Sequence, residues 1–107
     1  MEYLNRIELR GVVGSAKLTT CGTLTICNFS LLTEYAYKGE SGCLTIDSMW
    51  WTVIVIRSNP AMPALCDIQK GTKVYVQGRV RAKRYSDALG NDRTVYEVVA
   101  QELMIVE

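Results

Sequence analysis

Half of the 12 Lys and Arg residues in this 107-residue chain lie between Lys70 and Tyr85, a segment without Asp or Glu. Lys73, Arg79, Arg81 and Lys83 fall on odd positions with Tyr75, Gln77 and Tyr85, while Val74, Val76, Gly78, Val80 and Ala82 fall on even ones. A period of two is the signature of a strand with one buried face, so the odd residues form a ladder of cations ending in an aromatic. Arg84 and Lys70 add to the charge of the segment. Such a surface suits a polyanion, because each cation neutralises a phosphate and each ring offers a π-face. The plainer reading, a solvated strand face, fits runs of mixed sign better than this one. The net charge is only +1, with the 11 acids elsewhere, so the basic strand reads as a site and not as general solubility.

Other aromatics belong to the same chemistry. Trp50 and Trp51 are adjacent, and neighbours on a strand point oppositely, so one indole is buried and the other presented unless a second layer covers both faces. Trp51, Val53 and Val55 share one face; Trp50, Thr52, Ile54 and Ile56 share the other. Tyr35 and Tyr37 lie in the polar segment 34–42, which holds two glycines and reads as a hairpin loop carrying exposed aromatics.

Catalysis has little to stand on. The chain has no His, no Gly-rich phosphate loop and no nucleophile elbow, so no enzyme activity and no cofactor is expected. Cys21, Cys27, Cys43 and Cys66 are spaced by 6, 16 and 23 positions, without the close pairs a zinc site uses, and are expected to be reduced and metal-free. Asp87 and Asp92 read as turn formers. No apolar run approaches the roughly 18 residues of a membrane span, and a cytoplasmic protein is expected. The length accommodates one domain, residues 1–107.

The elements that position these residues follow from pattern and punctuation. Residues 5–14 read as a strand bent at Gly11 and Gly14, and residues 15–22 as a turn. Residues 23–33 form a second strand with Phe29 and Leu31 on one side, and residues 49–57 a third. Between Asn59 and Gly71 a short helix is expected, capped by Asn59, started at Pro60 or Pro63, with Leu65 and Ile68 facing inward. After the basic strand, residues 86–93 are a turn and residues 94–100 a fifth strand. Residues 101–107 either extend it or return along the first. This all-β order, with one short helix between the third and fourth strands, is that of an OB-fold, a five-stranded Greek-key barrel that commonly binds oligonucleotides.

The residues themselves resemble the bacterial single-stranded-DNA-binding protein family along nearly the whole chain. Residues 5–14 are similar to its opening strand, 28–33 to its second, 70–81 to its fourth, and 84–87, 90–93 and 96–100 to its closing hairpin. The resemblance implies binding of single-stranded DNA in replication, repair or recombination, with bases stacked on Trp50, Tyr85 and Tyr37. Ile56 occupies a position where the family often has an aromatic, which predicts weaker binding. The interface expected from residues and resemblance together comprises Tyr35, Tyr37, Trp50, Ile56, Lys73, Arg79, Arg81, Lys83, Arg84 and Tyr85. A homo-oligomer, tetramer or dimer, is implied, with the first strand at the interface, acting on the nucleoid with replication or repair proteins. The family's flexible linker and acidic tail have no counterpart before Glu107, which puts recruitment of such partners in doubt. The length also resembles the primosomal replication protein of the same superfamily, which leaves a protein-binding module with weak DNA contact as the alternative.

Overall fold

The computed structural model describes residues 2–21, 24–56 and 67–106. Its five strands are β1 (Ile7–Cys21), β2 (Leu24–Lys38), β3 (Leu44–Ile56), β4 (Lys73–Ser86) and β5 (Asp92–Ile105). They close a barrel in the order β1-β2-β3-β5-β4, the expected OB-fold arrangement. Neighbours are antiparallel except β3 and β5, which run parallel with Val53 opposite Val98 and Ile54 opposite Val99.

The alternation of β4 decides the register. Val74 and Val76 are fully covered and meet Val13, Phe29, Leu31, Val53, Val55, Val98 and Leu103 in one core. Each such Val or Leu contributes roughly 1.5–3 kcal/mol by leaving water, and a slip of one residue would turn the whole set outward. Ile68, expected to face inward, joins this core. Of the short helix expected between Asn59 and Gly71, the part with Leu65 lies outside the described residues, and residues 68–71 are not helical.

β1 serves two neighbours. Residues 7–12 pair with β4, and from Val12 onward the strand pairs with β2. At the corner, a side chain on Gly11 would run into the carbonyl of Leu32, so only glycine lets the two backbones approach. Gly14 is passed over in the register, with Val13 opposite Leu31 and Ser15 opposite Ser30. The Val13 N–H donates to Thr72 O at 2.9 Å and the Gly71 N–H to Val13 O at 2.8 Å, tying the bend to the start of β4.

Three expected boundaries are corrected. Residues 15–21 continue β1 instead of turning, residues 34–38 continue β2 instead of forming a loop, and β3 starts at Leu44 instead of residue 49. The tight turn lies at residues 39–43, where the Gly39 N–H donates to Cys43 O at 2.9 Å. The cause is the same each time: these segments are hairpin arms extending past the barrel, solvated on both sides, and carry no buried face for the pattern to report. β5 takes the extending option for residues 101–105, with Gln101 bulged between Ala100 and Glu102. The arms explain a radius of gyration of 16.0 Å, against about 13 Å for a compact domain of this length. Because β3 and β5 are parallel, the β2–β3 and β4–β5 arms leave the same end of the barrel, and the β1–β2 arm leaves the other.

Candidate nucleic-acid interface

The face of β3 turned away from the core carries Trp50, Thr52, Ile54 and Ile56, of which Ile54 is covered by its neighbours. Its parallel neighbour β5 sets Val99 beside Ile54, and β4 sets Arg79 opposite Val99 and Arg81 opposite Glu97. Aromatic and cationic residues thus share one outer surface crossing β3, β5 and β4. Trp50 is 58% exposed, and its six-membered ring lies against Gly14 of β1. Trp51 faces the other way, packs on the core, and donates Nε1–H to Thr33 Oγ1 at 2.8 Å. The two indoles therefore divide as strand alternation requires. Ile56, 39% exposed, lies on Trp50's face and offers apolar contact without a ring.

The cations are not equivalent. Arg79 and Lys83 point outward with no ion pair among the described residues, and Tyr85, 46% exposed, follows Lys83 on the same face. Arg81 donates Nε–H to Glu97 Oε1 at 2.6 Å, and the Glu97 side chain is only 7% exposed. Its guanidinium is thus held by one edge. Lys73 stands at the start of β4, about 30 Å along the strand from Lys83, and lies in line with Val12 and Leu32 towards Trp50 by way of β1 and β2.

Tyr35, Tyr37 and Arg84 occupy a different surface. Trp50 opposes Leu32 on one face of the β2–β3 ribbon, whereas Tyr35 opposes Asp47 and Tyr37 opposes Thr45 on the other. The two tyrosine rings sit 6.3 Å apart, tilted by 31°. Arg84, an even residue opposite Thr94, likewise lies on the face of the β4–β5 arm away from Arg79 and Lys83. The ten expected residues therefore form two groups, seven outward and three on the reverse of the arms.

Freedom from acids is a property of the β4 sequence and not of the surface it joins. Glu8 of β1 and Glu102 of β5 both oppose Gln77. The Tyr75 hydroxyl donates to Glu8 Oε1 at 2.5 Å, and Arg6 lies 3.3 Å from the same oxygen. These contacts, Tyr75 first, hold the Glu8 carboxyl below its ordinary range, and the bond to Glu8 raises the Tyr75 phenol. Positive charge on β4 is concentrated in the half from Arg79 onward.

A feature missed in the sequence adjoins Trp50. Ser15, Ala16, Lys17, Asn28, Phe29, Ser30 and Thr52 line an open pocket of about 320 Å³ on β1, β2 and β3. Reading residues 15–22 as a turn deprived Lys17 of a face; the usable signal was its two-residue spacing from Ser15. Among the described residues no group of His, Cys, Asp and Glu is placed to hold a metal, and no helix is long and apolar enough to cross a membrane. Cys27 is buried, which raises its thiol pKa, and Cys43 is exposed at the β2–β3 turn.

Comparison with known proteins bears on this geometry. The model of the "Single-strand binding protein family" matches residues 4–106. A "Single-stranded DNA-binding protein" of Neisseria meningitidis serogroup A is 27% identical over 81 residues, covering 76% of this chain and 46% of that protein. One from Rhizobium meliloti is 29% identical over 102 residues, 92% of this chain and 58% of that one. The chain thus spans about half the length of these relatives. Among solved structures, a "Plasmodium falciparum SSB complex with ssDNA" superposes with a TM-score of 0.80 at 21% identity, covering 100% of this chain and 98% of that one. A single-stranded DNA binding protein from Thermus aquaticus gives 0.79 at 21%, over 97% of this chain and 51% of that one. These two likenesses carry the fold, and the family match carries membership: the chain belongs to the single-strand binding protein family.

Proposed function

We propose that this protein binds single-stranded DNA without sequence preference, stacking bases on Trp50 and Tyr85 and neutralising phosphates with Arg79, Lys83 and the free edge of Arg81. The observation that carries this reading is the exposed Trp50 indole on the same outer surface as cations that have no ion partner. Stacking on such a ring is worth about 1–3 kcal/mol per base and accepts every base. The names of the relatives, and the single strand bound by one structural neighbour, support the same ligand. The role is non-catalytic protection of exposed strands during replication, repair or recombination in the cytoplasm. Assembly into a homo-oligomer is supported by β1, whose residues 7–11 bond only β4 among the described residues and so leave one strand edge for a second copy.

The test is a fluorescence titration with poly-dT across salt concentrations, on protein whose mass is measured by light scattering. Each phosphate neutralised contributes about −0.7 to the slope of log affinity against log salt. Three to four contacts per subunit give a slope of about −2 to −3. A slope shallower than about −1 would favour the protein-binding module over the DNA groove.

A further inference from the structure

We infer that the pocket lined by Ser15, Lys17, Asn28, Ser30 and Thr52 is a phosphodiester subsite, and that it takes the phosphate of the nucleotide whose base stacks on Trp50. The inference rests on the single-strand reading above and adds residues of β1 and β2 to it.

The first argument is the donor inventory. Ser30 Oγ accepts the Ser15 N–H at 3.0 Å and lies 3.1 Å from Ser15 Oγ. One hydroxyl proton closes that pair, which leaves the other to point into the pocket. The Asn28 amide, the Thr52 hydroxyl and the Lys17 ammonium add donors on the same rim, and no carboxylate lines it. Lys17 has no ion pair among the described residues, so its charge is available to an anion. Most of the lining is apolar, and its smaller polar part, with one cation and no acid, is what a phosphate would meet.

Placement supplies the second argument. A β-carbon on Gly14 would stand 2.5 Å from Trp50 Cζ3 and 3.0 Å from Ser30 Oγ, so the ring and the pocket rim flank one backbone position. A base on the indole therefore has its own backbone within reach of the rim. The pocket also continues the outer surface beyond β3. Asn28 opposes Ile54, which neighbours Val99 and then Arg79. Ile54 itself is covered, so a strand running from Arg79 passes above it to arrive at Lys17, which opposes Asn28 on β1.

The experiment compares wild type with Lys17→Gln, Thr52→Val and Lys38→Gln in poly-dT titrations read by tryptophan fluorescence. Lys38, ten residues along β2 from Asn28, is the charge-matched control. Lys17→Gln is expected to make the salt slope shallower by about 0.7, one phosphate contact. Tryptophan quenching at saturation should stay unchanged, Thr52→Val should weaken binding several-fold at a constant slope, and Lys38→Gln should move the slope less than Lys17→Gln. Equal slopes for wild type and Lys17→Gln, in protein that still binds and quenches, overturn the subsite while the single-strand reading stands. A dT-to-dA affinity ratio in Thr52→Val that differs from the wild-type ratio assigns the pocket to base edges and likewise overturns it. Absence of quenching and of salt-dependent binding in wild type is the failure of the single-strand reading itself.

Discussion

The six-membered ring of Trp50 lies on Gly14, with Cζ3 and Cη2 at 2.5 and 2.7 Å from where a β-carbon on that glycine would stand. Any side chain at position 14 must push the indole aside. Trp50 is exposed and its ring is the far end of a flexible side chain, so Gly14→Ala should unfold little. It should nevertheless weaken poly-dT binding by about five- to tenfold, the low end of the range of one stacked base, and change the emission maximum of the free protein. Binding identical to wild type would mean that the position of the ring on β1 is irrelevant to the strand.

The two adjacent indoles separate stability from binding. Trp50→Ala should lose most of the poly-dT fluorescence quench and about 1–3 kcal/mol of affinity, with little change in melting temperature. Trp51→Phe removes the Nε1 bond to Thr33 and should cost about 1 kcal/mol of stability while the quench persists. If Trp51→Phe abolishes the quench in folded protein and Trp50→Ala does not, the assignment of Trp50 as the platform is wrong.

Where a strand had one wet and one dry face, the sequence could be read. Val74, Val76, Phe29, Leu31, Trp51 and Val53 all point inward as their alternation demands, and the barrel follows from them. Alternation fell silent in the arms. Lys17 and Tyr35 stand on strand that both faces leave in water, and such strand has the composition of a loop. Partner identity across strands was equally hidden, because it depends on register. Nothing local to Arg81 announces Glu97 opposite it, nor does Gln77 announce Glu8 and Glu102. Arg84 shares its neighbours' charge but not their face, because its even position turns it to the other side of the arm.

Acid should loosen the β4–β5 arm through Asp87. Its Oδ1 accepts the N–H groups of Leu89 and Asn91 at 2.9 Å each, and Oδ2 accepts Arg93 Nε–H at 3.0 Å. The backbone bond from Asn91 first, and then Arg93, hold the carboxyl pKa below the ordinary range of an aspartate. A carboxyl depressed in the folded state stabilises it above the unfolded pKa and loses that contribution as pH falls through the folded value. The amide signals of Leu89 and Asn91 should therefore move, and their protection relative to an unstructured amide at the same pH should fall, as pH drops below about 4. In Asp87→Ala these two amides should lack that protection throughout the range from pH 3 to 7. Unchanged amide signals in wild type down to pH 2 would show that the carboxylate does not hold the turn.

Arg81 and Glu97 make the sharpest contrast between structure and function. The carboxylate is almost wholly covered while the guanidinium is about one-third exposed, so removal of the two partners is not symmetrical. Arg81→Ala leaves a covered carboxylate without its cation and should cost about 2–4 kcal/mol, towards the range for breaking a buried pair. Glu97→Gln keeps a hydrogen-bond acceptor of the same shape and leaves an arginine that water can reach, so its cost should be nearer 1 kcal/mol. On poly-dT the two changes should act in opposite directions. Glu97→Gln removes a negative charge from beneath the proposed phosphate track and should tighten binding about three- to tenfold at low salt, the gain fading as salt screens it. Arg81→Ala should weaken binding to dT and dA alike, because a phosphate contact carries no base information. Weaker binding by Glu97→Gln, in protein that is fully folded at the assay temperature, would mean that the carboxylate is needed to aim Arg81 at the strand and that aim outweighs charge.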